Sequence, residues 1–279
     1  MITQLAAAVV CALAFGCASE QPPADAARGA NAAPAFSVLT YNVNFAAPRP
    51  DLAVRAIKDA DADVVCLQET TPEWERAVRE GLGEAYPYIR FRTEPGAGGM
   101  ALLSKWELER ITFRRTDAGW FPACIATVNT PAGAVRLVSV HLRPPVSDNG
   151  SFASGYFTTP PVRRSEIQEI HDAAADGTVP VVFVGDFNES RGGGAVRYLS
   201  KQGYRSALRQ HAPQASTWHW QYGLIPLSGQ LDHVMHDASL ECLDARVLRR
   251  GASDHCPVLA TFRLRDRGDQ GPAESKPNQ

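Results

Sequence analysis

Eight polar or ionisable side chains lie at the ends of apolar, β-branched runs in this chain. They are Asn42, Glu69, His141, Asp186, Asn188, Asp232, Asp254 and His255. Loops at strand ends are where a rigid scaffold positions reactive groups, so this recurrence is the first indication of function. Glu69 or Asp186 alone would be explained as a turn or helix-cap residue. As a set, the carboxylates suit a hard cation such as Mg²⁺, and the histidines exchange protons near neutral pH.

The sequence also predicts the elements that must position these residues. Eight runs rich in β-branched residues predict strands over residues 36–41, 64–67, 100–103, 125–128, 135–142, 179–184, 231–235 and 258–262. Helices are predicted over residues 50–59, 72–80, 161–175 and 194–201. Strand and helix alternate in the first half, but consecutive strands follow in the middle. We therefore expect an α+β fold of mixed sheets with helices outside them.

Both ends of the 279-residue chain differ in composition from its middle. The apolar run over residues 5–15 is too short to span a membrane and suits a secretion signal, so we assign residues 1–17 to a signal peptide. Residues 18–34 and 266–279 lack large apolar side chains, which predicts a disordered linker and a disordered tail. Residues 35–265 remain as one domain with a core of its own.

Residues 13–17 resemble a bacterial lipoprotein processing site, in which Cys17 would become the lipid-bearing N-terminus. Ordinary cleavage without lipid attachment is the alternative. In either case we expect an exported protein, which is anchored in the cell envelope through Cys17 or secreted.

Charge and cysteine content narrow the classes of function. The chain carries 28 Lys and Arg against 30 Asp and Glu, and residues 35–265 carry 25 of each. Zero net charge gives no broad attraction to nucleic acid, so any recognition of phosphate must be local. Four cysteines lie in the domain: Cys66, Cys124, Cys242 and Cys256. They allow three disulfide pairings, but buried free thiols are favoured because Cys66 and Cys124 lie in apolar runs, and no Cys-x-x-Cys pair or histidine cluster indicates zinc.

In their order and flanking residues, these motifs resemble the endonuclease/exonuclease/phosphatase superfamily, which has the DNase I-like fold. The motifs include Leu-Thr-Tyr-Asn-Val-Asn around Asn42, Val-Gly-Asp-Phe-Asn around Asp186, and Ala-Ser-Asp-His-Cys-Pro-Val around Asp254 and His255. The resemblance extends over residues 36–262. It implies a four-layer α/β/β/α sandwich of two packed mixed sheets, and a phosphoesterase that uses Mg²⁺ or Mn²⁺.

The resemblance also implies a role for each residue. Asn42, Glu69 and Asp254 would hold the metal, and Asp232 would fix the tautomer of His255. Asp186 and Asn188 would orient the attacking water and a phosphoryl oxygen. These roles suit the chemistry, since displacement at phosphorus needs an activated water, neutralised charge and a stabilised leaving oxygen. Members differ over whether the base corresponds to Asp186 or to His255.

His141 separates branches of the superfamily. Abasic-site members carry a tyrosine in this region, whereas DNase I-like and sphingomyelinase-like members carry a histidine. In DNase I a carboxylate just before the strand over residues 100–103 supports that histidine. Residues 96–99 are Gly-Ala-Gly-Gly here, so binding of phosphate is the alternative to a general-acid role for His141.

The substrate remains open between two classes. Arg143 and Arg164 are candidates for binding phosphate oxygens, and residues 217–227 form an aromatic and aliphatic loop around Trp218 that suits base stacking or contact with lipid. A nuclease is the favoured interpretation. A phosphodiesterase or phosphatase acting on a lipid headgroup is the alternative, and a non-catalytic binding module is a distant third. We expect a monomer.

Overall fold

The computed structural model describes residues 34–47 and 49–265. Its strands are β1 (Ala35–Asn42), β2 (Val64–Gln68), β3 (Tyr88–Arg92), β4 (Met100–Ser104), β5 (Leu108–Arg114), β6 (Ala123–Thr130), β7 (Gly133–His141), β8 (Val181–Asp186), β9 (Arg205–Ser206), β10 (Trp218–Tyr222), β11 (Ile225–Gly229), β12 (Asp232–His236), β13 (Leu240–Val247) and β14 (Val258–Leu264). Its helices are α1 (Pro50–Ala60), α2 (Pro72–Leu82), α3 (Phe152–Thr158), α4 (Pro160–Ala174), α5 (Gly194–Lys201) and α6 (Ala207–His211). The predicted signal and tail, and the predicted linker except for its last residue, Pro34, lie outside the described residues.

Every predicted strand and helix is present, with bounds that differ by no more than about two residues. The prediction of a loop over residues 217–227 is wrong, because β10 and β11 pair there as an antiparallel ribbon. Strands β3, β5, β9 and β13 and helices α3 and α6 were also not predicted. Strand β5, for example, is largely exposed along its length, so it lacks the apolar run that identified the buried strands.

The strands form two six-stranded mixed sheets. The first sheet has the order β13-β14-β1-β2-β4-β3, and the second has the order β5-β6-β7-β8-β12-β9. Parallel pairing occurs between β1 and β2 and between β7 and β8. The other pairs in both sheets are antiparallel. This mixture agrees with the predicted α+β class.

Three apolar clusters divide the domain into four layers. One cluster lies between the sheets and joins residues such as Val38 and Val64 of the first to Val135 and Val182 of the second. A second packs the outer face of the first sheet on α1 and α2. A third packs the outer face of the second sheet on α4 and α5. The result is the predicted α/β/β/α sandwich. No helix in the described part of the chain is long and apolar enough to cross a bilayer.

The parallel pairs bring the candidate residues to one edge of the sandwich. Asn42 ends β1 opposite the last residue of β2, and His141 ends β7 opposite Asp186 at the end of β8. Strand β12 runs antiparallel to β8, so its first residue, Asp232, pairs with Asp186. His255 comes just before β14, which runs antiparallel to β1. Carboxyl ends of parallel strands and starts of antiparallel neighbours therefore meet at the same place.

Candidate active site

Two carboxylates hold the imidazole of His255. Its Nδ1 lies 2.9 Å from Oδ2 of Asp232, and its Nε2 lies 3.6 Å from Oδ2 of Asp186. All three side chains are buried. Burial alone would lower the pKa of His255, but the two carboxylates outweigh it and raise that pKa to about 10. The ring is therefore a cation at neutral pH, and Asp232 fixes its orientation.

The amide of Asn42 connects the two sheets at the base of the site. Its Nδ2 donates to Oε1 of Glu69 at 2.9 Å and to Oδ2 of Asp186 at 3.1 Å. Its Oδ1 accepts the backbone N–H of Asn44, so the amide oxygen points away from the two carboxylates. In this arrangement Asn42 holds the carboxylates in place through its N–H groups, whereas the resemblance implied that it would contact the metal.

Glu69 is held in an unusual backbone conformation. Its φ is +64°, in the left-handed region that residues with a side chain rarely adopt. Oε2 of Glu69 accepts the backbone N–H of Phe45 at 3.1 Å, which fixes the second carboxylate oxygen. Burial raises the pKa of Glu69, and the hydrogen bonds from Asn42 and Phe45 oppose that shift. Burial likewise raises the pKa of Asp186, against the attraction of His255.

The carboxylate of Asp254 is fixed by two side chains, one from the loop after β1 and one from the first residue of β10. Oδ1 accepts Nδ2 of Asn44 at 2.8 Å, and Oδ2 accepts Nε1 of Trp218 at 3.1 Å. The preceding Ser253 donates its hydroxyl to the carbonyl of Asn42 at 2.8 Å. The loop that carries Asp254 and His255 is thereby attached both to the end of β1 and to the start of the β10–β11 ribbon.

His141 has a backbone partner in place of a carboxylate. Its Nδ1 lies 3.2 Å from the carbonyl oxygen of Ala97, which fixes Nδ1 as the donor, and the ring stacks on Phe121 with 4.2 Å between centroids. Nε2 then faces Oδ2 of Asp186 at 3.6 Å and Oε1 of Glu69 at 3.8 Å. Burial lowers the pKa of His141, so the ring is neutral and Nε2 presents a lone pair to the site.

The glycine-containing segment before β4 therefore still supports the histidine, through the carbonyl of Ala97. Neither Ala97 nor Phe121 was identified from the sequence. A backbone carbonyl gives no sequence signal, and Phe121 lies in a segment without apolar periodicity.

The three predicted substrate-binding residues do not all line the cavity. Trp218 lines the cavity above the site. Arg143 is buried, with its guanidinium 3.6 Å from the centroid of Trp120 and paired with Asp148 at 2.7 Å. Arg164 lies 6.0 Å from the ring centroid of Tyr198. Neither of these two arginines is among the described residues that line the cavity.

Arg163 and Arg197 line the cavity instead. Arg163 is buried and pairs with Glu189 at 3.3 Å. The carboxylate of Glu189 also accepts three backbone N–H groups at the start of α5, from Gly194, Ala195 and Val196. Since this helix N-terminus already carries a carboxylate, the glycine run over residues 192–194 is not a phosphate-binding loop.

Asn188 completes the set by supporting the turn after β8. Its backbone N–H donates to Oδ1 of Asp186 at 2.8 Å, and its Nδ2 donates to the carbonyl of Leu142 at 2.9 Å. Its φ is +50°, which asparagine tolerates better than most residues. Asn188 therefore positions Asp186, and it also lines the cavity.

One cavity of about 760 Å³ gives access to these groups. At its base lie Glu69, His141, Asp186, Asn188, Asp254 and His255. Apolar side chains line much of the rest, among them Phe121, Phe152, Tyr156, Phe157, Trp218 and Leu231. Helix α3, which supplies three of these aromatics, was not predicted. A charge-free stretch with aromatics four and five residues apart after Ser151 was the available signal.

The donor set fits a hard divalent cation. Ligand atoms of Asp186, Asp232 and His255 lie within 4.8 Å of one another. Nδ1 of His255 is already hydrogen-bonded to Asp232, however, and the neighbouring carboxylates raise the pKa of the ring, which favours its protonated form. The carboxylates of Glu69, Asp186 and Asp254, which line the cavity, are the oxygen donors that Mg²⁺ or Mn²⁺ prefers.

A family model decides the assignment of the chain. The model described as the Endonuclease/Exonuclease/phosphatase family matches residues 39–255. The chain belongs to this family. Its members are phosphoesterases and nucleases, and the match includes every residue of the site described above. No curated protein matches the sequence.

Solved structures show the fold of the family in this chain. An endonuclease/exonuclease/phosphatase from Beutenbergia cavernae is 20% identical with a TM-score of 0.65, over 82% of this chain and 72% of that one. Truncated TDP2 from Caenorhabditis elegans is 17% identical with a TM-score of 0.64, over 82% and 98%. An AP endonuclease from Archaeoglobus fulgidus is 17% identical with a TM-score of 0.63, over 82% and 100%.

Proposed function

We propose that this chain is an exported phosphodiesterase that requires a divalent cation. The observation that carries the proposal is the imidazole of His255, held between Asp232 and Asp186 at the base of a cavity that Glu69 and Asp254 also line. A bound cation would neutralise charge on the phosphate and stabilise the leaving oxygen. The buried residues supply the remaining groups.

We infer the roles of these groups from their contacts and from the directions of their pKa shifts. A cationic His255 cannot accept a proton, so it binds a phosphoryl oxygen and stabilises the charge that develops there. Asp186, 3.6 Å from its Nε2, lines the cavity and is the base that takes a proton from the attacking water. His141, neutral and with its lone pair directed inward, accepts a hydrogen bond from water or substrate.

Turnover of bis-p-nitrophenyl phosphate tests this proposal. We expect hydrolysis with Mg²⁺ or Mn²⁺ and none with EDTA. His255→Ala and Asp186→Asn should each reduce kcat by at least about a hundredfold. His211→Ala, an exposed histidine that contacts a backbone carbonyl away from the site, is the matched control. Absence of turnover with any divalent metal in a folded sample would refute the enzyme assignment.

A nuclease is one candidate for the finer activity. It is supported by the sequence motifs, by the similarity to an archaeal AP endonuclease and by two arginines in the cavity wall. A phosphodiesterase acting on lipid headgroups is supported by the apolar residues around the same cavity. Plasmid DNA, RNA, phosphatidylcholine and sphingomyelin assayed side by side would distinguish them, since only one class should be cleaved at a rate above that of the EDTA control.

Export and lipid attachment at Cys17 are part of the proposal and concern residues outside the described range. Mass spectrometry of the protein purified from membranes should find diacylglycerol on Cys17. An unmodified N-terminus at a residue after Cys17 would contradict lipid attachment, and secretion would then be the remaining form of export. Size-exclusion chromatography tests the expected monomer.

A further inference from the structure

The β10–β11 ribbon has one apolar face and one polar face. Directly opposed residues of an antiparallel pair share a face. Trp220 lies opposite Leu227, and Trp218 lies two residues from Trp220 on the same side. The other face carries His219 opposite Ser228, and Gln221 opposite Pro226. The apolar face therefore extends outward from Trp218, which lines the cavity, and its outer residues are open to solvent.

Exposure at the end of this ribbon is unusually high for apolar residues. Trp220 is 51% exposed, Ile225 60% and Leu227 42%. Leu224, in the two-residue turn, is 97% exposed. The turn has room for a polar residue, so folding does not require leucine there. Contiguous exposed apolar side chains of this kind mark a surface that binds something else.

Helix α3 adds a second apolar element beside the same cavity. Phe152, Tyr156 and Phe157 are 58%, 61% and 79% exposed, and all three line the cavity together with Trp218. The rest of this short helix, with its cap, consists of Ser, Ala, Gly and Thr. The apolar patches of α3 and of the ribbon are thus connected through the mouth of the site.

Neither element carries a formal charge. Residues 149–162 and 217–231 contain no Lys, Arg, Asp or Glu. A nucleic-acid surface would require cations to meet its phosphates, and an anionic membrane would favour them too. A zwitterionic lipid surface has no net charge to match, and aromatic and aliphatic side chains enter its interface readily.

We propose that the exposed side chains of α3 and of the β10–β11 ribbon bind a zwitterionic lipid surface, with the cavity facing the lipid. One consequence of this inference rests on the proposed phosphodiesterase function. It is that the site receives its phosphodiester from the lipid surface. The binding itself does not depend on catalysis.

Hydrogen bonds connect this surface to the catalytic loop. Nε1 of Trp218 donates to Asp254, and Trp218 also forms a β-bridge with His255. Oγ1 of Thr217 accepts the backbone N–H groups of Leu231 and Asp232 at 3.0 Å each. A ribbon fixed on lipid would therefore hold the catalytic loop at a set position relative to the headgroups.

Flotation with phosphatidylcholine vesicles tests the proposal. The chain from Ala33 to Gln279 is used because this unit contains all three apolar cores, and its use removes the N-terminal apolar run from the assay. We expect it to float with the vesicles to the same extent in 0.1 and 0.5 M salt, because no charge takes part. Trp220→Asp with Leu224→Asp should lower the partition coefficient at least tenfold.

The matched control adds the same two charges to the polar face of the ribbon, as Gln221→Asp with Ser228→Asp. We expect binding within about twofold of the unmodified chain. The Trp220/Leu224 variant should keep its turnover of bis-p-nitrophenyl phosphate in solution, which shows that it is folded. Equal loss in both variants, no flotation, or flotation abolished by salt would overturn the proposal.

Two other outcomes would also overturn it. A dimer in size-exclusion chromatography that the Trp220/Leu224 variant disperses would show that the patch binds a second copy of the chain. Binding to a single-stranded oligonucleotide that is lost in the same variant would assign the patch to base stacking. Vesicle binding without any phosphodiester turnover would instead refute the proposed function and leave the docking surface standing.

Discussion

His255 owes its positive charge to two carboxylates that are themselves buried. Because the proposed active form has this ring protonated, activity should be retained through neutral pH and lost as pH rises through its pKa of about 10. Asp232→Asn removes one of the charges that raise this pKa. We predict that the alkaline limb of the kcat/KM profile for bis-p-nitrophenyl phosphate moves to lower pH. A variant whose alkaline limb stays at the wild-type position would show that another group limits the rate.

The indole of Trp218 should affect metal binding through Asp254. Trp218→Phe keeps an aromatic ring but removes the N–H that donates to Oδ2 of this carboxylate. Loss of such an orienting hydrogen bond typically weakens metal binding about 10- to 100-fold. Isothermal titration with Mn²⁺ should detect this, while Trp220→Phe should bind Mn²⁺ like the wild type. Equal affinity in both variants would show that Trp218 does not orient Asp254.

Glu166 makes stability depend on pH. Burial raises the pKa of this side chain to about 7, against the opposing effects of Arg143 and Arg163. Between its unfolded pKa near 4.5 and pH 7 the folded state binds more protons than the unfolded state, so stability falls as pH rises through this window. The total is on the order of 3 kcal/mol. Glu166→Gln should unfold at higher urea than wild type at pH 8, and the difference should vanish near pH 4.5.

The motifs at strand ends were sufficient to find the residues of the site but not all of their roles. Asn42 was recognised, yet only the structure shows that its N–H groups face Glu69 and Asp186. Arg163 and Arg164 are adjacent in sequence but point about 100° apart on a helix, so only one of them lines the cavity. Contacts that depend on helix phase or on a backbone carbonyl cannot be read from residue types.

At the scale of elements, the sequence predicted what is buried and missed what is half-exposed. Strands β2 and β4, in the interior of the first sheet, are buried at every position and stand out as apolar runs. In strands β5 and β13, buried residues are interspersed with exposed ones. Strand β13 also contains a register shift near Cys242, which interrupts the two-residue alternation of its side chains. The ribbon of β10 and β11 was missed because an apolar segment that packs on no core is not what propensity rules anticipate.

Gly185 is the backbone position on which the two catalytic strands depend. It lies in β8 next to Asp186 with φ +136°, and a Cβ there would collide with the carbonyl oxygen of Val140 in β7. Gly185→Ala should therefore lower the free energy of unfolding by at least about 2 kcal/mol. Gly192→Ala, where the nearest atom is 4.0 Å away, is the control. Urea denaturation compares the two variants. Similar midpoints would show that β7 and β8 can move apart without a loss of folding free energy.

At the scale of the molecule, repulsion among the site's acids should link metal binding to folding. Glu69, Asp186 and Asp254 face one cavity in a domain whose total charge is balanced. A cation that binds only the folded state adds about 2.7 kcal/mol at a concentration one hundred times its Kd. We predict a higher Tm with Mg²⁺ or Mn²⁺ than with EDTA. Asp254→Asn should reduce this shift, and an unchanged shift would place the cation elsewhere.

Two adjacent antiparallel strands of the first sheet, β14 and β1, set where the described chain enters and leaves the domain. Strand β1 begins at Ala35 and ends at Asn42 in the site, while β14 runs the opposite way, with Arg263 paired to Ala35. Eight residues of strand extend about 25 Å, so both ends of the fold lie roughly that far from the reactive groups. A label joined directly at Ala35 or Arg263 would therefore lie at the end of these strands away from the cavity.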